Sequence, residues 1–325
     1  MEDQILLFQQ CKERSSGNLA AEISELLGVN VDAAYRRIRG TTSLTFDEVK
    51  KICLKYNLSF DSIINYSGSL VPFKFNAMFQ EKFHILDSLN NISTELKQRA
   101  MAPSSHLTLT AMDLPYFRQF GFRALSRFKL FFWQRSVLNI EEYRFKKFNH
   151  NEVIEAYEEL TYEIYHDYHN VESVEIWAPE SLDSTIRQLQ YYKDSGLFEN
   201  PDSFRAVCDD LYALLDKLEK EAELGKKVLE TNDEILTSKL DMYQSDIFLS
   251  NNCIQANVMD KTYTYVSFNS FNSLMSFSPQ FSEECNQWIE QIRLKSILLS
   301  EVSEKLRYQF FLGLRKKIER FMNEL

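Results

Sequence analysis

Between Asn30 and Arg39 the sequence NVDAAYRRIR places Asp32, Tyr35, Arg36 and Arg39 at the spacing of one helical face. Guanidinium groups fork onto guanine edges or phosphate, and carboxylates and hydroxyls exchange hydrogen bonds with base edges. Such a helix, Val31 to Arg39, would turn Ala34 and Ile38 inward. Asn30 and Val31 at its start, and Arg37 beside Arg36, complete the candidate surface. Arginines alone also suit an ordinary solvated face, so the argument rests on the elements that would hold this helix.

Three other clusters have chemistry to offer. His166 and His169 lie three residues apart, on one helical face, and would need a carboxylate such as Glu163 to hold a metal. Tyr116 to Trp133 mixes aromatic rings with Arg118, Arg123, Arg127 and Lys129 and contains no acid, as a nucleic-acid or membrane-surface stripe would. Core aromatics flanked by arginines that reach out to water explain that stretch more simply. Near the end, Lys295 to Glu301 and Glu304 to Arg307 gather polar groups at a helix junction, able to take a small anion or simply to cap a turn. The motifs of nucleophilic, phosphate-loop, dinucleotide and zinc-protease chemistry are absent, so no catalytic residue, metal or cofactor is expected.

The elements around Asn30 are marked by their own chemistry. Leu19, Ile23, Leu26 and Leu27 recur at helical spacing, and Gly28 stands where a left-handed residue closes a helix. Asn30 is placed to cap the next helix, which Gly40 ends. Thr45 and Glu48 form a capping box opening a third helix, buried through Val49, Ile52, Cys53 and Tyr56. Asn57 ends it, and a short turn through Phe60, Ile63 and Ile64 follows.

Leu19 to Ile64 resembles the helix-turn-helix of the lambda-repressor-like family, the Cro or xenobiotic-response-element type. The likeness is carried by the turn Leu27-Gly28-Val29-Asn30, by Arg39-Gly40 at the close of the second helix, and by the small Ser24 four residues before the turn glycine. Ala20 stands where the family commonly has glutamine. The resemblance implies an all-α domain whose helix Val31 to Arg39 enters the major groove of double-stranded DNA, with Asn30, Val31, Asp32, Tyr35, Arg36, Arg37 and Arg39 at the contact. Lys50, Lys51 and Lys55 would add backbone contacts.

With 325 residues the chain has room for a second, larger domain. Only 8 glycines and 6 prolines, with 44% hydrophobic residues, point to an ordered and mainly helical protein. The net charge of −10 argues against non-specific coating of nucleic acid, and residues 1–66 carry just −1 of it, so a DNA surface must be local. Cys11, Cys53, Cys208, Cys253 and Cys285 form no C-x-x-C pair. No apolar run is long enough to span a bilayer, and the first residues lack a signal-peptide pattern, so a cytoplasmic protein without a membrane partner is expected.

Ser67-Gly68-Ser69 with Pro72 reads as a hinge, and a helix over Met78 to Ala100 carries a short apolar seam through Ile85, Leu89, Ile92 and Leu96, fit either to dimerise or to pack on its own domain. Beyond Pro103, period-two runs at His106–Thr110, Val174–Trp177 and three stretches within 243–268 alternate with helical stretches near 115–135, 150–168, 180–194, 202–229, 281–299 and 301–323. The last two runs would form a hairpin across Met259 to Thr262. The fold class expected is therefore mainly α: an N-terminal all-α helix-turn-helix bundle over 1–66, a hinge and connecting helix over 67–103, and an α+β domain with a small sheet over 104–325. That arrangement is similar to uncharacterised Bacteroidetes regulators with a large C-terminal domain. It implies a DNA-binding transcription regulator, a homodimer, whose C-terminal domain dimerises or senses an unidentified small-molecule effector. The alternative is a signalling scaffold or enzyme-like domain carrying the helix-turn-helix as a protein-interaction module.

Overall fold

The computed structural model describes the chain except residues 1, 16, 59, 61–70, 80–82, 103, 232–233, 248, 250, 259–260, 270–271 and 324–325. It divides into two units, Met1–Phe73 and Lys74–Leu325. The expected hinge at Ser67-Gly68-Ser69, the turn through Ile63 and Ile64, and the hairpin tip at Met259-Asp260 lie outside the described residues.

Among the described residues the first unit holds four helices: α1 (Glu2–Arg14), α2 (Leu19–Leu27), α3 (Val31–Ile38) and α4 (Phe46–Tyr56). Every expected punctuation mark is in place. Gly28 takes φ +65°, Asn30 accepts from the Ala33 amide, Thr45 and Glu48 close the capping box, and Asn57 ends α4 in the left-handed region. Helix α1 was not read from the sequence. Its Ile5-Leu6-Leu7-Phe8 run blurs the helical period, yet Leu7, Phe8 and Cys11 are buried with Ile23, Ala34 and Ile52 in one core.

The second unit opens with α5 (Ile85–Met101), β1 (His106–Ala111), α6 (Tyr116–Gln119) and α7 (Arg123–Phe132), which runs into a π turn at Trp133–Val137. Then come α8 (Glu155–His169), β2 (Glu172–Trp177), α9 (Asp183–Asp194), α10 (Pro201–Leu224), β3 (Lys226–Glu230), β4 (Ile235–Gln244), β5 (Cys253–Val258), β6 (Lys261–Phe268) and β7 (Asn272–Ser276). Helix α11 (Pro279–Arg293), strand β8 (Ile297–Leu298) and helix α12 (Glu304–Asn323) complete it. The mainly α chain thus carries not a small sheet but an eight-stranded one, in the order β3-β4-β2-β1-β5-β6-β7 with β8 on β4. Strands β1, β2 and β4 run parallel, joined by helical crossovers, and the other pairings are antiparallel.

The extra strands were illegible for physical reasons. Gly225, with φ +61°, stops α10, and the next five residues join the edge of the sheet where continued helix was expected. Strand β7 alternates weakly, and β8 is two residues long. The helix expected from Met78 starts at Ile85, after an extended cap residue, His84, and Lys74 ahead of it is bridged to Met275. The stretch expected as helix to 299 ends at Arg293, after which Ile297 and Leu298 pair with β4.

Register places Leu107, Leu109 and Ala111 on one sheet face with Ser173, Glu175 and Trp177 of β2 and Leu240 and Met242 of β4. Helices α5, α7, α8, α10 and α12 cover that face, and α11 packs on the other through Ile289 and Ile292. The seam of α5 belongs to this core: Ile85, Leu89 and Leu96 are buried against α8 residues including Ile164 and Tyr168. Where α6 ends, a Cβ on Gly121 would fall inside the Tyr165 ring, so only glycine permits that approach.

Beneath the helices lies a closed set of charges. Arg118 bridges Glu175 on β2 and Glu221 on α10, and all three are at most 2% exposed. Glu175 also accepts from Tyr168, Ser173 and the Trp177 indole, and Glu221 from the Val228 amide. Burial raises both carboxyls, but Arg118, together with Lys227 and Tyr168 at Glu175 and with His169 and Lys217 at Glu221, outweighs it and holds them below their ordinary value. Lys227 donates to the carbonyls of Tyr168 and Val171 and sits 3.8 Å from the Tyr168 ring centre; burial, then Arg118, drive its pKa well down.

Truncating Arg118→Leu leaves Glu175 without its ion-pair partner and Glu221 with Lys217 at 3.2 Å, and is expected to destabilise the larger unit by about 3–5 kcal/mol in urea unfolding. Because both carboxyls titrate lower when folded, their stabilisation is complete above the ordinary value of 4.5 and disappears as pH falls through the folded values. Unfolding followed at Trp177 should show that acid loss, and Glu175→Gln should reduce it. An unchanged acid limb in that variant would refute the assignment.

Candidate nucleic-acid interface

Helix α3 is set by contacts on three sides. The Ala34 methyl is buried in the core, and the Ser24 hydroxyl donates to the Val29 carbonyl at 2.6 Å, drawing the turn onto α2. At the far end Gln4 of α1 donates to the carbonyls of Arg37 (2.7 Å) and Thr42 (2.8 Å) and accepts from the Leu44 amide (3.2 Å). One amide thereby fixes the C-terminus of α3 and the loop after it. This clamp was missed with α1, since a lone glutamine before an apolar run carries no motif. Arg14, also on α1, donates to the carbonyls of Tyr56 and Asn57, and Tyr56 donates to Glu22 at 2.8 Å, so all four helices are tied.

The structure sorts the candidate residues. Asp32, Tyr35, Arg36 and Arg39 are exposed and share one open concavity with Thr41, which sequence reasoning did not single out. Arg39 caps the helix it was expected to end, with its guanidinium 5.8 Å from the Tyr35 ring centre. Arg36 and Arg39 have no carboxylate partner among the described residues. Val31 is exposed at the first turn, and the Asn30 side chain is engaged as the cap. Arg37 lies apart. It is half-buried, paired with Glu48 at 2.9 Å, and its guanidinium also reaches the Ala33 carbonyl. Lys50, Lys51 and Lys55 are exposed on α4.

The other clusters resolve into packing. His169 is buried, its Nδ1 2.7 Å from the Tyr165 carbonyl oxygen and its Nε2 3.4 Å from Glu221; burial lowers its pKa. His166 faces Asp167, and Glu163 accepts from Ser93, so no metal group forms among the described residues. In the stretch 116–133, Phe117, Phe120, Phe128, Phe131 and Trp133 are core, but Arg118 does not reach water: it is 2% exposed. At the last junction Ser300 bonds the Met242 amide and Leu240 carbonyl, and Arg307 donates to the Leu299 carbonyl. No helix of the described residues is long and apolar enough to cross a membrane. Comparison with protein-family models, with curated proteins and with solved structures gives no match.

These placements separate stability from recognition. Arg37→Ala and Gln4→Ala should each lower the stability of the first unit by about 1–3 kcal/mol in chemical denaturation, the second by orphaning a backbone amide. Arg36→Ala should stay within about 0.5 kcal/mol of the parent. Equal losses in all three variants would contradict this division.

Proposed function

We propose that the chain is a sequence-specific regulator of transcription that binds double-stranded DNA through a helix-turn-helix made by α2 and α3. The observation that carries this reading is the shared exposed surface of Asp32, Tyr35, Arg36, Arg39 and Thr41, whose two arginines have no carboxylate partner among the described residues. An exposed, unpaired guanidinium on a helix of about major-groove width suits guanine and phosphate. The exposed lysines of α4 suit the flanking backbone. A single module of this size makes few contacts, so the regulator would act as a homodimer on two half-sites in the cytoplasm. The larger unit would join the copies or receive a small-molecule effector.

A second reading is favoured by apolar exposure on the same unit. Phe46 and Leu54 are each 74% exposed, and Phe46 lies edge-to-face with Phe60 at 6.4 Å, a surface suited to a protein partner. On that reading the small unit is an interaction module.

Selection of purified protein against random duplexes, then fluorescence anisotropy on the enriched site, separates the two. A two-fold-symmetric site should emerge, and Arg36→Ala or Arg39→Ala should weaken it by about 1–3 kcal/mol, with a shallower salt dependence where a phosphate contact is lost. Lack of enrichment at low salt would remove the DNA reading in favour of the second.

A further inference from the structure

The larger unit contains a cavity of about 370 Å³ on the helix-covered face of its sheet, a volume in the range of small-molecule sites. Leu107, Leu109, Ile254 and Ala256 form an apolar floor, and Phe117 and Trp133 are among the aromatic walls. Polar groups converge beyond the end of β1. There Asn252 accepts from the amides of Met112 and Asp113 and fixes the strand's exit.

Three groups in this lining are short of partners: Gln119, Lys129 and, at its Nε alone, Arg99. Gln119 is 2% exposed, and its Oε1 makes no hydrogen bond, while its Nε2 donates to the Leu114 carbonyl. The amide cannot be turned over, since that would set its oxygen against the Leu114 carbonyl oxygen. A buried acceptor therefore awaits a donor. Lys129 is 1% exposed, and its ammonium donates to Thr185 (2.7 Å) and Gln188 (2.8 Å). Its nearest carboxylate oxygen, on Asp113, is 3.9 Å away, beyond hydrogen-bond reach, so one of its three donors remains. Asp113 is itself engaged with the Leu114 amide and Thr185. Arg99 has Glu95 and the Tyr265 hydroxyl on its two terminal nitrogens, and its Nε is left without a partner.

Charge points the same way. The charged lining is Lys74, Arg99 and Lys129 against Glu95 and Asp113, an excess of one positive charge that a monoanion would balance. We propose that the cavity binds a small organic monocarboxylate bearing a hydroxyl donor, with the carboxylate received by Lys129 and the hydroxyl by Gln119 Oε1. Burial lowers the Lys129 pKa and the Asp113 carboxylate opposes this only in part, so a bound carboxylate would raise it again. This inference does not depend on the DNA reading.

The test uses the full chain and three hydroxy-acids of graded size: 4-hydroxybutyrate, 4-hydroxyphenylacetate and 5-hydroxyindole-3-acetate. Each is matched with its amide and its deoxy analogue and titrated by calorimetry and by tryptophan fluorescence, Trp133 being in the cavity wall. At least one hydroxy-acid should bind about ten-fold or more tightly than both of its matched analogues. Lys129→Met should erase the preference for acid over amide and keep that for hydroxy over deoxy, and Gln119→Leu should do the reverse. Failure of all three acids to bind at millimolar concentration, equal binding of acid and amide by the parent, or ratios unmoved in the variants would overturn the proposal in favour of a water-filled cavity. If Lys129→Met does not fold, the parent's ratios and Gln119→Leu still decide.

Discussion

Arg118 is sealed from water, and the two carboxylates that hold it belong to different layers: Glu175 to the central strand β2, Glu221 to helix α10. An ion set of this kind tolerates no partial assembly, because each member left alone in the core costs several kcal/mol. It therefore obliges α6, β2 and α10 to arrive together, and through Tyr168 and Lys227 it draws in α8 and β3 as well. The apolar clusters supply the driving force for burial, but they are indifferent to which leucine meets which. The charges are not. They make one packing of the helices on the sheet far better than its near alternatives.

The cavity lies beside this set and differs from it in kind. Arg118 gives both terminal nitrogens to carboxylates and keeps only its Nε without a partner, whereas Lys129 and Gln119, on the neighbouring elements α7 and α6, line the cavity with a spare donor and a spare acceptor. Adjacent residues of one short helix thus take different parts: Arg118 is held between two carboxylates, and Gln119 lines the cavity with an unpartnered oxygen. Burial alone does not distinguish a structural polar group from a recognition group. An unpartnered atom that lines a cavity does.

How much was legible follows the range of the physics. Caps and turn glycines act over three or four residues, and Gly28, Asn30, Thr45-Glu48 and Asn57 were all readable, as was the outward set of Asp32, Tyr35, Arg36 and Arg39. Arg37 was not distinguishable from Arg36, because its partner Glu48 lies on another helix. Helix α1 and the Gln4 clamp were invisible for a similar reason: the acceptors are backbone carbonyls, which every sequence has. Strands β1 and β2 showed their alternation. Strand β3 hid behind a long helix, and the cavity is made by β1, α5, α6, α7 and β5, which no local pattern brings together.

The strand order carries a consequence for how the chain acquires its shape. Strand β1 lies between β2 and β5, and its Thr110 accepts from the Cys253 amide, so the middle of the sheet waits for residues far along the chain. The small unit closes with contacts no farther apart than α1 and α4. Loop closure over long separations is slow, so the two units should run on different clocks, the first settling early and the second last. During that interval the parallel strands expose unpaired edges, which makes the larger unit the part of the chain most in need of protection while it is being made.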